Sequence, residues 1–495
     1  MSRCGWLTSQ RSQAILVKIH GRTEGGRDIM IKAKTTLFYA AMLGAAVGVF
    51  FWIRASGNSL IAPVGAGTFG QHGPRESGVV LMHVLVALVV IILCARGLGA
   101  IFRRFNQPPV VGEMIAGILL GPSLLGRVAP GASAYLLPNS VAPYLSVIAN
   151  VGVILYMFLV GVELDTTLLR GRTHASVAIS HASIIAPFLL GSTLALWLYP
   201  VFSTNDVPFV VFALFMGVSM SVTAFPVLAR ILTDREIHTS QMGAIALACA
   251  SVDDVTAWCL FALVVSVARA HPGDVLVTLG LTAGFIFVIF AFARPAAVWF
   301  VRQHDQRRIT GQSSIVVACV ALLAAALATQ RIGIHALFGA FLAGAIIPHD
   351  SLLARDIKQK FEDLVVVLFL PTFFAFTGLR TQIGLVHGLR DWLICILIIG
   401  VASVGKFGGG AIAARLTGLG WRHAASLGIL MNTRGLMELI VLNVGMDLGV
   451  LSPTLFAMLV IMAIVTTLAT TPVLQALAET PERELVRSWQ FDEDY

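Results

Sequence analysis

Five charged residues lie inside long apolar runs of this sequence. Asp253 and Asp254 are adjacent in ALACASVDDVTAWCLFALVV, Lys406 lies in ILIIGVASVGKFGGG, and Arg434 and Glu438 lie in LMNTRGLMELIVL. A charge at the centre of a bilayer costs at least about 2.5–3.5 kcal/mol on insertion scales. If these runs cross a membrane, the five residues are candidates for a functional site.

The adjacent aspartates suit the exchange of ions. Neighbours on a helix point about 100° apart, so Asp253 and Asp254 can line one cavity without packing as a pair. Burial and mutual repulsion both favour the protonated carboxylic acid, so we expect at least one of the two to exchange protons nearer neutral pH and the two to behave as one coupled system. A carboxylate that holds either a proton or a cation is the minimal chemistry of cation/proton exchange. The alternative is a structural pair that caps a broken helix.

The lysine needs a partner. A buried ammonium group gives up its proton unless a carboxylate faces it, and Asp253 is the predicted partner of Lys406. The alternative for Lys406 is a snorkelling or purely structural cation.

Two apolar runs carry polar interruptions. Asn432, Thr433, Arg434 and Gly435 interrupt one run, which predicts an unwound helix of the kind tolerated where backbone lines a cavity. Glu438 follows Arg434 by four residues, so a local ion pair within one helix is the alternative interpretation.

The second interruption is the segment SVTAFPVLARIL. Pro226 is expected to break the hydrogen-bond ladder there and to free carbonyl groups, which together with the Thr223 hydroxyl would coordinate a cation. A simple proline kink is the alternative. Glu113 is a weaker candidate near a helix end, where it is either functional or an interfacial charge.

Composition places these runs in a membrane. The chain of 495 residues is 57% hydrophobic and 12% charged, with a net charge of +8, whereas soluble domains carry about 25% charged residues. The basic residues concentrate in short loops and in the N-terminal tail. This distribution agrees with the positive-inside rule for the cytoplasmic loops of membrane proteins better than with a nucleic-acid partner. We find no HExxH or GxSxG motif, so we expect no enzymatic activity and no cofactor.

Hydrophobic periodicity predicts fourteen helices with both termini in the cytoplasm. The first is an extra N-terminal helix at 36–53, for which a signal peptide is the alternative, and Met1 and Met30 are both possible starts. Thirteen further apolar segments follow, each near the roughly 20 residues that a spanning helix needs. They lie at 79–101, 108–125, 142–162, 174–200, 207–232, 240–268, 274–302, 312–330, 334–349, 361–385, 390–417, 421–446 and 452–477.

The interrupted segments occupy related positions. Pro226 lies in the fourth helix of a group of five over 108–268, and Asn432 lies in the fourth helix of a group over 334–477. Groups with an odd number of helices repeat in opposite orientation, so this pattern favours an inverted repeat with two broken helices that meet near the midplane.

Several of these motifs resemble a known family over about 80–477. They are NQPPVVGEMIAGILLGPSLLG, SVTAFPVLARIL, SVDDVTAW, FLPTFFAFTGLRT, LMNTRGLMELIVLNVG and TTLATTPVL. In this order they resemble the monovalent cation:proton antiporter-2 family, and most of all its branch with plant and fungal members.

The resemblance implies an all-α antiporter core of thirteen helices, with two inverted five-helix repeats and two broken crossing helices. It implies a homodimer in membrane lipid, in which a core bundle (about 174–268 and 390–477) moves like an elevator against a dimer domain (about 79–162 and 274–385). Residues 1–78 would be an N-terminal region that contains the extra helix. Residues 478–495 would be a short cytoplasmic tail.

The resemblance also implies roles for single residues. Asp254 matches the carboxylate that binds the transported Na⁺ or K⁺, Asp253 matches the position before it, and Lys406 matches the basic partner of Asp253. Thr223 lies in the first broken helix, whereas Arg434 and Glu438 lie in the second. The closest branch often has Asn-Asp where this chain has Asp-Asp. Because Asp-Asp together with Lys406 resembles the electrogenic members of the family, an electrogenic exchanger with more than one proton per cation is favoured.

We therefore expect a Na⁺ or K⁺:proton antiporter of the bacterial inner membrane. Two other functions stay open at this point. A cation channel would need a continuous polar path, and the sequence shows no filter-like repeat. An organic-anion transporter of the same architecture is disfavoured by a buried acidic pair.

Overall fold

The structure of the protein is a computed structural model that describes residues 74–477, apart from 106, 164–172, 204–206, 236, 238–239, 270–274 and 308–311. The predicted helix at 36–53, the two possible starts and the tail 478–495 lie outside the described residues. Every regular element in the described part is helical. Apolar runs of about 20 residues favour helices in lipid because a helix satisfies all its backbone hydrogen bonds internally.

The first half of the described chain contains ten of the labelled helices. They are α1 (Pro74–Arg104), α2 (Pro109–Leu120), α3 (Ala142–Glu163), α4 (Thr173–Phe202), α5 (Phe209–Ser221), α6 (Phe225–Asp234), α7 (Gln241–Arg269), α8 (Val275–Val288), α9 (Arg294–Arg307) and α10 (Gln312–Ile332). Short helical turns at Leu125–Val128, Pro130–Leu136 and Asn139–Val141 join α2 to α3, and the π-helix Ile289–Ala293 joins α8 to α9.

The second half contains the other seven. They are α11 (Ala336–Ala345), α12 (Leu352–Leu364), α13 (Leu370–Arg380), α14 (Gly388–Leu416), α15 (Trp421–Met431), α16 (Leu436–Asp447) and α17 (Pro453–Leu477). The π-helix Val365–Phe369 joins α12 to α13, and the 3-10 turn Ile383–Leu385 precedes α14.

The described helices account for the predicted segments with one correction. Within the described residues, eleven continuous helical stretches, some of which join two labelled helices, are long and apolar enough to cross a membrane, or twelve if the bent pair α15–α16 forms one span. The segment 334–349, predicted as a spanning helix, forms only the ten-residue α11. The chain enters α11 through Gly333, whose φ of 103° favours glycine, and leaves it before Pro348, so turns at both ends shorten it. The chain is an integral multi-pass membrane protein.

The outer faces of the helices suit lipid. Large apolar side chains stand exposed on α1, α4 and α10, for example Leu93, Trp197 and Leu323, which are 68%, 75% and 61% exposed. In a hydrocarbon solvent such exposure carries no penalty, and buried small or polar residues instead hold helices together.

Two pairs of glycines let helices pack with their backbones in contact. A methyl group added at Gly117 of α2 or at Gly378 of α13 would collide with the backbone of the facing helix. The same holds for Gly161 of α3 and Gly344 of α11. These close approaches fix α2 against α13 and α3 against α11.

Ion pairs at the helix ends agree with the predicted alternation of sides. Lys358 of α12 contacts Glu163 at the end of α3 at 2.5 Å, and both residues lie on the predicted cytoplasmic side. Arg380 at the end of α13 contacts Asp447 at the end of α16 at 2.6 Å, and both lie on the predicted outer side.

Candidate functional site

The first broken helix is present, although its break lies before the predicted residue. Helix α5 ends at Ser221, and Val222 and Ala224 have extended backbone before α6 begins at Phe225. Pro226 lies in the first turn of α6 rather than within a continuous helix. A proline there costs no hydrogen bond, because the first N–H groups of a helix have no internal acceptor.

The second broken helix is confirmed between α15 and α16. The two half-helices are bent by 43° around the segment 432–435. The breaks touch each other, because the backbone N–H of Ala224 donates to the carbonyl of Thr433 at 2.9 Å. The Thr223 hydroxyl also reaches the carbonyl of Met431 at 3.1 Å. Two segments distant in sequence therefore cross and share hydrogen bonds inside the protein.

Asp253 of α7 is fully enclosed by donors at this crossing. Its Oδ1 accepts from the Ser180 hydroxyl at 2.6 Å, and its Oδ2 accepts from Thr223 at 2.5 Å and from the Lys406 ammonium at 2.9 Å. The Ser183 hydroxyl lies 3.2 Å from each oxygen. The side chain has no solvent exposure. Such a set of donors stabilises a charged carboxylate inside a protein.

Lys406 of α14 is paired as predicted. Its ammonium group contacts Asp253 at 2.9 Å, and neither side chain is exposed, so the interpretation as a snorkelling cation is wrong. The same group also donates to the carbonyl of Ser221, the last residue of α5. A cation at the C-terminal end of a helix is favoured by the partial negative charge of the unpaired carbonyls.

Arg434 and Glu438 form the predicted ion pair at 2.9 Å, and both are fully buried. The pair is not only local, because the guanidinium also donates to the carbonyls of Ser219 at 2.9 Å and Met220 at 2.8 Å. Arg434 and Lys406 therefore donate hydrogen bonds to carbonyl groups at the C-terminal end of α5 that have no partner within the helix. Glu438 lies in the first turn of α16, where a negative charge is favoured by the helix dipole.

Asp254 differs from its neighbour. It is 3% exposed, and its Oδ1 is buried without a hydrogen-bond partner among the described residues. The amide oxygen of Asn432, at the second break, is likewise buried and unpartnered. A buried oxygen without a donor costs free energy unless a proton, a water molecule or a cation satisfies it.

Sequence reasoning missed Ser180 and Ser183, two donors to Asp253. They lie three residues apart in AISHASIIAP and so share one face of α4. That spacing is the available signal, and it is weak because many membrane helices carry serines. Thr467 of α17 was also missed; its hydroxyl accepts from the Arg434 N–H at 3.0 Å and lies 2.8 Å from the Arg434 carbonyl.

Glu113 lies apart from this cluster. It is buried in α2, against Gly99 of α1, and no hydrogen bond among the described residues joins it to the aspartates. The structure thus brings Thr223, Asp253 and Lys406 into direct contact. Arg434, paired with Glu438, binds the same end of α5 that Lys406 contacts.

Comparisons with known proteins agree on one family. The family model described as "Sodium/hydrogen exchanger, transmembrane" matches residues 84–479. The Na(+)/H(+) antiporter NhaS4 of Synechocystis sp. is 41% identical over 404 residues, which cover 81% of this chain and 98% of that protein. The K(+)/H(+) antiporter 1 of Saccharomyces cerevisiae is 32% identical over 423 residues, covering 83% of this chain and 48% of that protein. This chain therefore spans about half the length of the yeast relative.

A solved structure has the same fold. The sodium proton antiporter MjNhaP1 from Methanocaldococcus jannaschii superposes with a TM-score of 0.57 at 13% identity. The match covers 80% of this chain and 97% of that one. At this identity the likeness concerns the fold alone.

Proposed function

Because the chain belongs to the sodium/hydrogen exchanger family, we propose that it is a secondary active antiporter that exchanges Na⁺ or K⁺ for protons. The observation that carries this proposal is the contrast between two adjacent aspartates. Asp253 is fully occupied by donors, whereas the adjacent Asp254 keeps a buried oxygen without a hydrogen-bond partner among the described residues. A proton and a monovalent cation can each satisfy that oxygen, so the two can occupy it in turn.

The named relatives support cation/proton exchange as the reaction. One is named a Na(+)/H(+) antiporter and another a K(+)/H(+) antiporter. Both ions are hard cations that oxygen ligands accept, so the transported cation is proposed only as Na⁺ or K⁺.

Competition for one site couples the two fluxes. Asp254 binds either the cation or a proton, and water reaches it from one side of the membrane at a time. Cation binding displaces the proton, which leaves towards the side that is open. The Thr223 hydroxyl oxygen at the first break and the Asn432 amide oxygen at the second break supply further oxygen ligands.

Asp253 and Lys406 make the exchange electrogenic in this proposal. When a cation binds at Asp254, its positive charge repels the Lys406 ammonium and weakens that group's contact with Asp253. A proton exchanged at this pair, in addition to the proton at Asp254, moves net charge across the membrane in each cycle. The pair thereby decides the stoichiometry, whereas Asp254 decides whether exchange occurs.

The proposal includes the architecture that the resemblance implies. The core would have thirteen helices in two inverted repeats, with the short α11 counted as the first helix of the second repeat. The core bundle at 174–268 and 390–477 would move against the dimer domain at 79–162 and 274–385. In support, the two broken segments cross at Ala224 and Thr433 and lie in corresponding helices of the two groups. Association as a homodimer is part of the same proposal.

Asp254→Asn tests the proposal. The variant keeps the shape of the side chain and removes its charge, so it should abolish proton flux driven by Na⁺, K⁺ or Li⁺ in proteoliposomes. Asp391→Asn is the matched control, because Asp391 is a half-buried carboxylate in the first turn of α14 that accepts from the backbone N–H of His387. Exchange at the wild-type rate in Asp254→Asn would contradict the proposed function. Repeating the assay with and without a clamped membrane potential reports whether the exchange is electrogenic.

A further inference from the structure

We propose that the indole ring of Trp258 closes the outer side of the Asp254 site by stacking on Phe341, and that this contact breaks when the site opens outwards. Trp258 belongs to α7 and Phe341 to α11, which lie in the two parts proposed to move against each other. This role of Trp258 rests on the proposed function, and it explains how water and protons are kept from Asp254 on one side of the membrane.

Trp258 lies next to Asp254 on the side that faces outwards. It follows Asp254 by four residues, so the two share one face of α7. Helix α7 runs from the predicted cytoplasmic side to the predicted outer side, and its rise places Trp258 about 6 Å nearer the outer side. Long side chains on a helix lean back towards its N-terminus, which directs the indole ring towards Asp254.

Trp258 is the centre of a buried layer of four aromatic rings. It stacks on Phe341 with a centroid distance of 6.3 Å and an interplanar angle of 25°. It also packs edge-on against Phe261 at 6.0 Å, and Phe261 packs in the same way against Phe215 of α5 at 6.4 Å. All four side chains are buried. Such an apolar layer excludes water and offers a cation no ligand, so it can act as a seal.

The seal crosses the boundary between the two proposed moving parts. Three of its rings lie on α5 and α7 of the proposed core bundle, whereas Phe341 lies in the proposed dimer domain. Helix α11 is fixed to that domain, because a methyl group added at Gly339 would collide with the backbone of Ala325 in α10. One added at Gly161 of α3 would collide with the backbone of Phe341 itself. Movement of the core bundle therefore separates Trp258 from Phe341.

The indole N–H distinguishes Trp258 from an inert core residue. Its Nε1 is buried and has no hydrogen-bond partner among the described residues. A buried tryptophan usually places this group on an acceptor, and leaving it unpaired costs free energy. Ring contacts rather than a hydrogen bond to a described residue thus hold the indole in place. The cost is recovered when the ring moves to a place that water reaches, so this contact is suited to break and form again.

Trp258→Ala tests the seal. Proteoliposomes that hold a pH gradient in choline salt, without Na⁺, K⁺ or Li⁺, report proton leak in the absence of exchange. The variant should raise this leak by about tenfold, the factor that the loss of one aromatic pair corresponds to. Phe341→Ala should do the same, because it removes the other ring. Trp258→Phe keeps a ring against Phe341 and should leak no faster than the wild type.

Two controls locate the leak. Trp197→Ala removes the same side chain from α4, where it is 75% exposed on the outer face of the helix, and should leave the leak unchanged. The double variant Trp258→Ala/Asp254→Asn should lose the leak, because protons that cross the opened site bind the Asp254 carboxylate. Thermal unfolding in detergent separates an opened seal from a loss of folded protein. If Trp258→Ala does not fold, Trp258→Leu carries the same expectation.

The outcomes distinguish the seal from the proposed function. A leak in Trp258→Ala at the wild-type rate, or one that persists in the double variant, overturns the role of Trp258, even if Asp254→Asn has lost all exchange. If Asp254→Asn still exchanges cations for protons, the proposed function itself fails. A leak in Trp258→Ala and Phe341→Ala that is absent from Trp197→Ala and from the double variant supports the seal.

Discussion

At the scale of single residues, environment separates two identical side chains. Asp253 and Asp254 are neighbours in sequence and both are buried, yet one is bound by three hydroxyls and an ammonium group while the other keeps an oxygen without a partner. A charge that is paired and hydrogen-bonded is stable inside a protein, whereas an unpartnered one is poised to bind an ion. This difference supports the proposed division of roles, with Asp253 as the partner of Lys406 and Asp254 as the carboxylate that binds the cation.

Lys406→Ala should lower both stability and electrogenicity. The substitution leaves the Asp253 carboxylate buried without its cation, which typically costs about 3–5 kcal/mol. It should also change the pH dependence of exchange and remove the dependence of its rate on a clamped membrane potential. The free energy of unfolding and proteoliposome currents measure the two effects.

The double variant Asp253→Asn/Lys406→Met is the control for Lys406→Ala. Both charges are then absent, so most of the lost stability should return while electrogenic exchange stays lost. If Lys406→Ala alone left both electrogenicity and pH dependence unchanged, the paired-charge part of the mechanism would be wrong.

At the scale of helices, the broken segments are stabilised by charges at their ends. Arg434 donates to two carbonyls at the end of α5, and Lys406 donates to a third, that of Ser221. These groups would otherwise be open polar groups at membrane depth, where each costs several kcal/mol. The unpaired carbonyl groups at the end of α5 therefore favour positive charge at this site, which explains why Arg434 and Lys406 lie in an apolar protein interior.

Helix packing gives a further prediction at this scale. Gly117→Ala should destabilise the protein by about 1–3 kcal/mol, because the added methyl group collides with the backbone of Ala375 in α13. Gly97→Ala is the matched control on α1, since nothing lies within 4 Å of the added atom. It should be neutral or stabilise by about 0.5–1 kcal/mol through helix propensity.

Thermal unfolding in detergent compares the two glycine variants. The melting temperature of Gly117→Ala should fall well below that of Gly97→Ala. Equal melting temperatures would mean that α2 and α13 are not packed with their backbones in contact.

At the scale of the whole molecule, a cluster of polar contacts is among those that join the two proposed moving parts. Arg380 of α13 contacts Asp447 of α16 at 2.6 Å and the Asn443 side chain at 3.1 Å, and Asn443 donates to Thr377 at 2.8 Å. Helix α13 belongs to the proposed dimer domain and α16 to the proposed core bundle. On the predicted outer side, this link must open if one part moves against the other.

A cross-link at this contact should stop transport. In Thr377→Cys/Asn443→Cys, whose native side chains touch, a short bifunctional thiol reagent should abolish exchange in proteoliposomes. Thr377→Cys alone and Asn443→Cys alone, treated in the same way, should retain activity and so control for reaction at the six native cysteines. Full exchange by the cross-linked protein would contradict the movement of α16 against α13.

The sequence alone determined much of this protein. Apolar runs of spanning length specify membrane helices wherever they occur, since lipid leaves the backbone no other solution. Because a buried charge is costly, Asp253, Asp254, Lys406, Arg434 and Glu438 stood out without any knowledge of the fold. The pairing of Lys406 with Asp253 followed from the same cost. The short α11 was mispredicted because hydrophobicity reports apolar character and not where turns end a helix.

Only the tertiary structure decided how these residues act. The sequence did not locate the first break. The crossing of Ala224 with Thr433 and the contacts of Arg434 with α5 were also not predictable, because they join segments that are about 200 residues apart. Ser180 and Ser183 carry no charge and so gave no energetic signal in the sequence, although they bind Asp253. The difference between the two aspartates arises from which hydroxyls surround each one, and adjacent positions on a helix contain no information about that surrounding until the other helices pack against it.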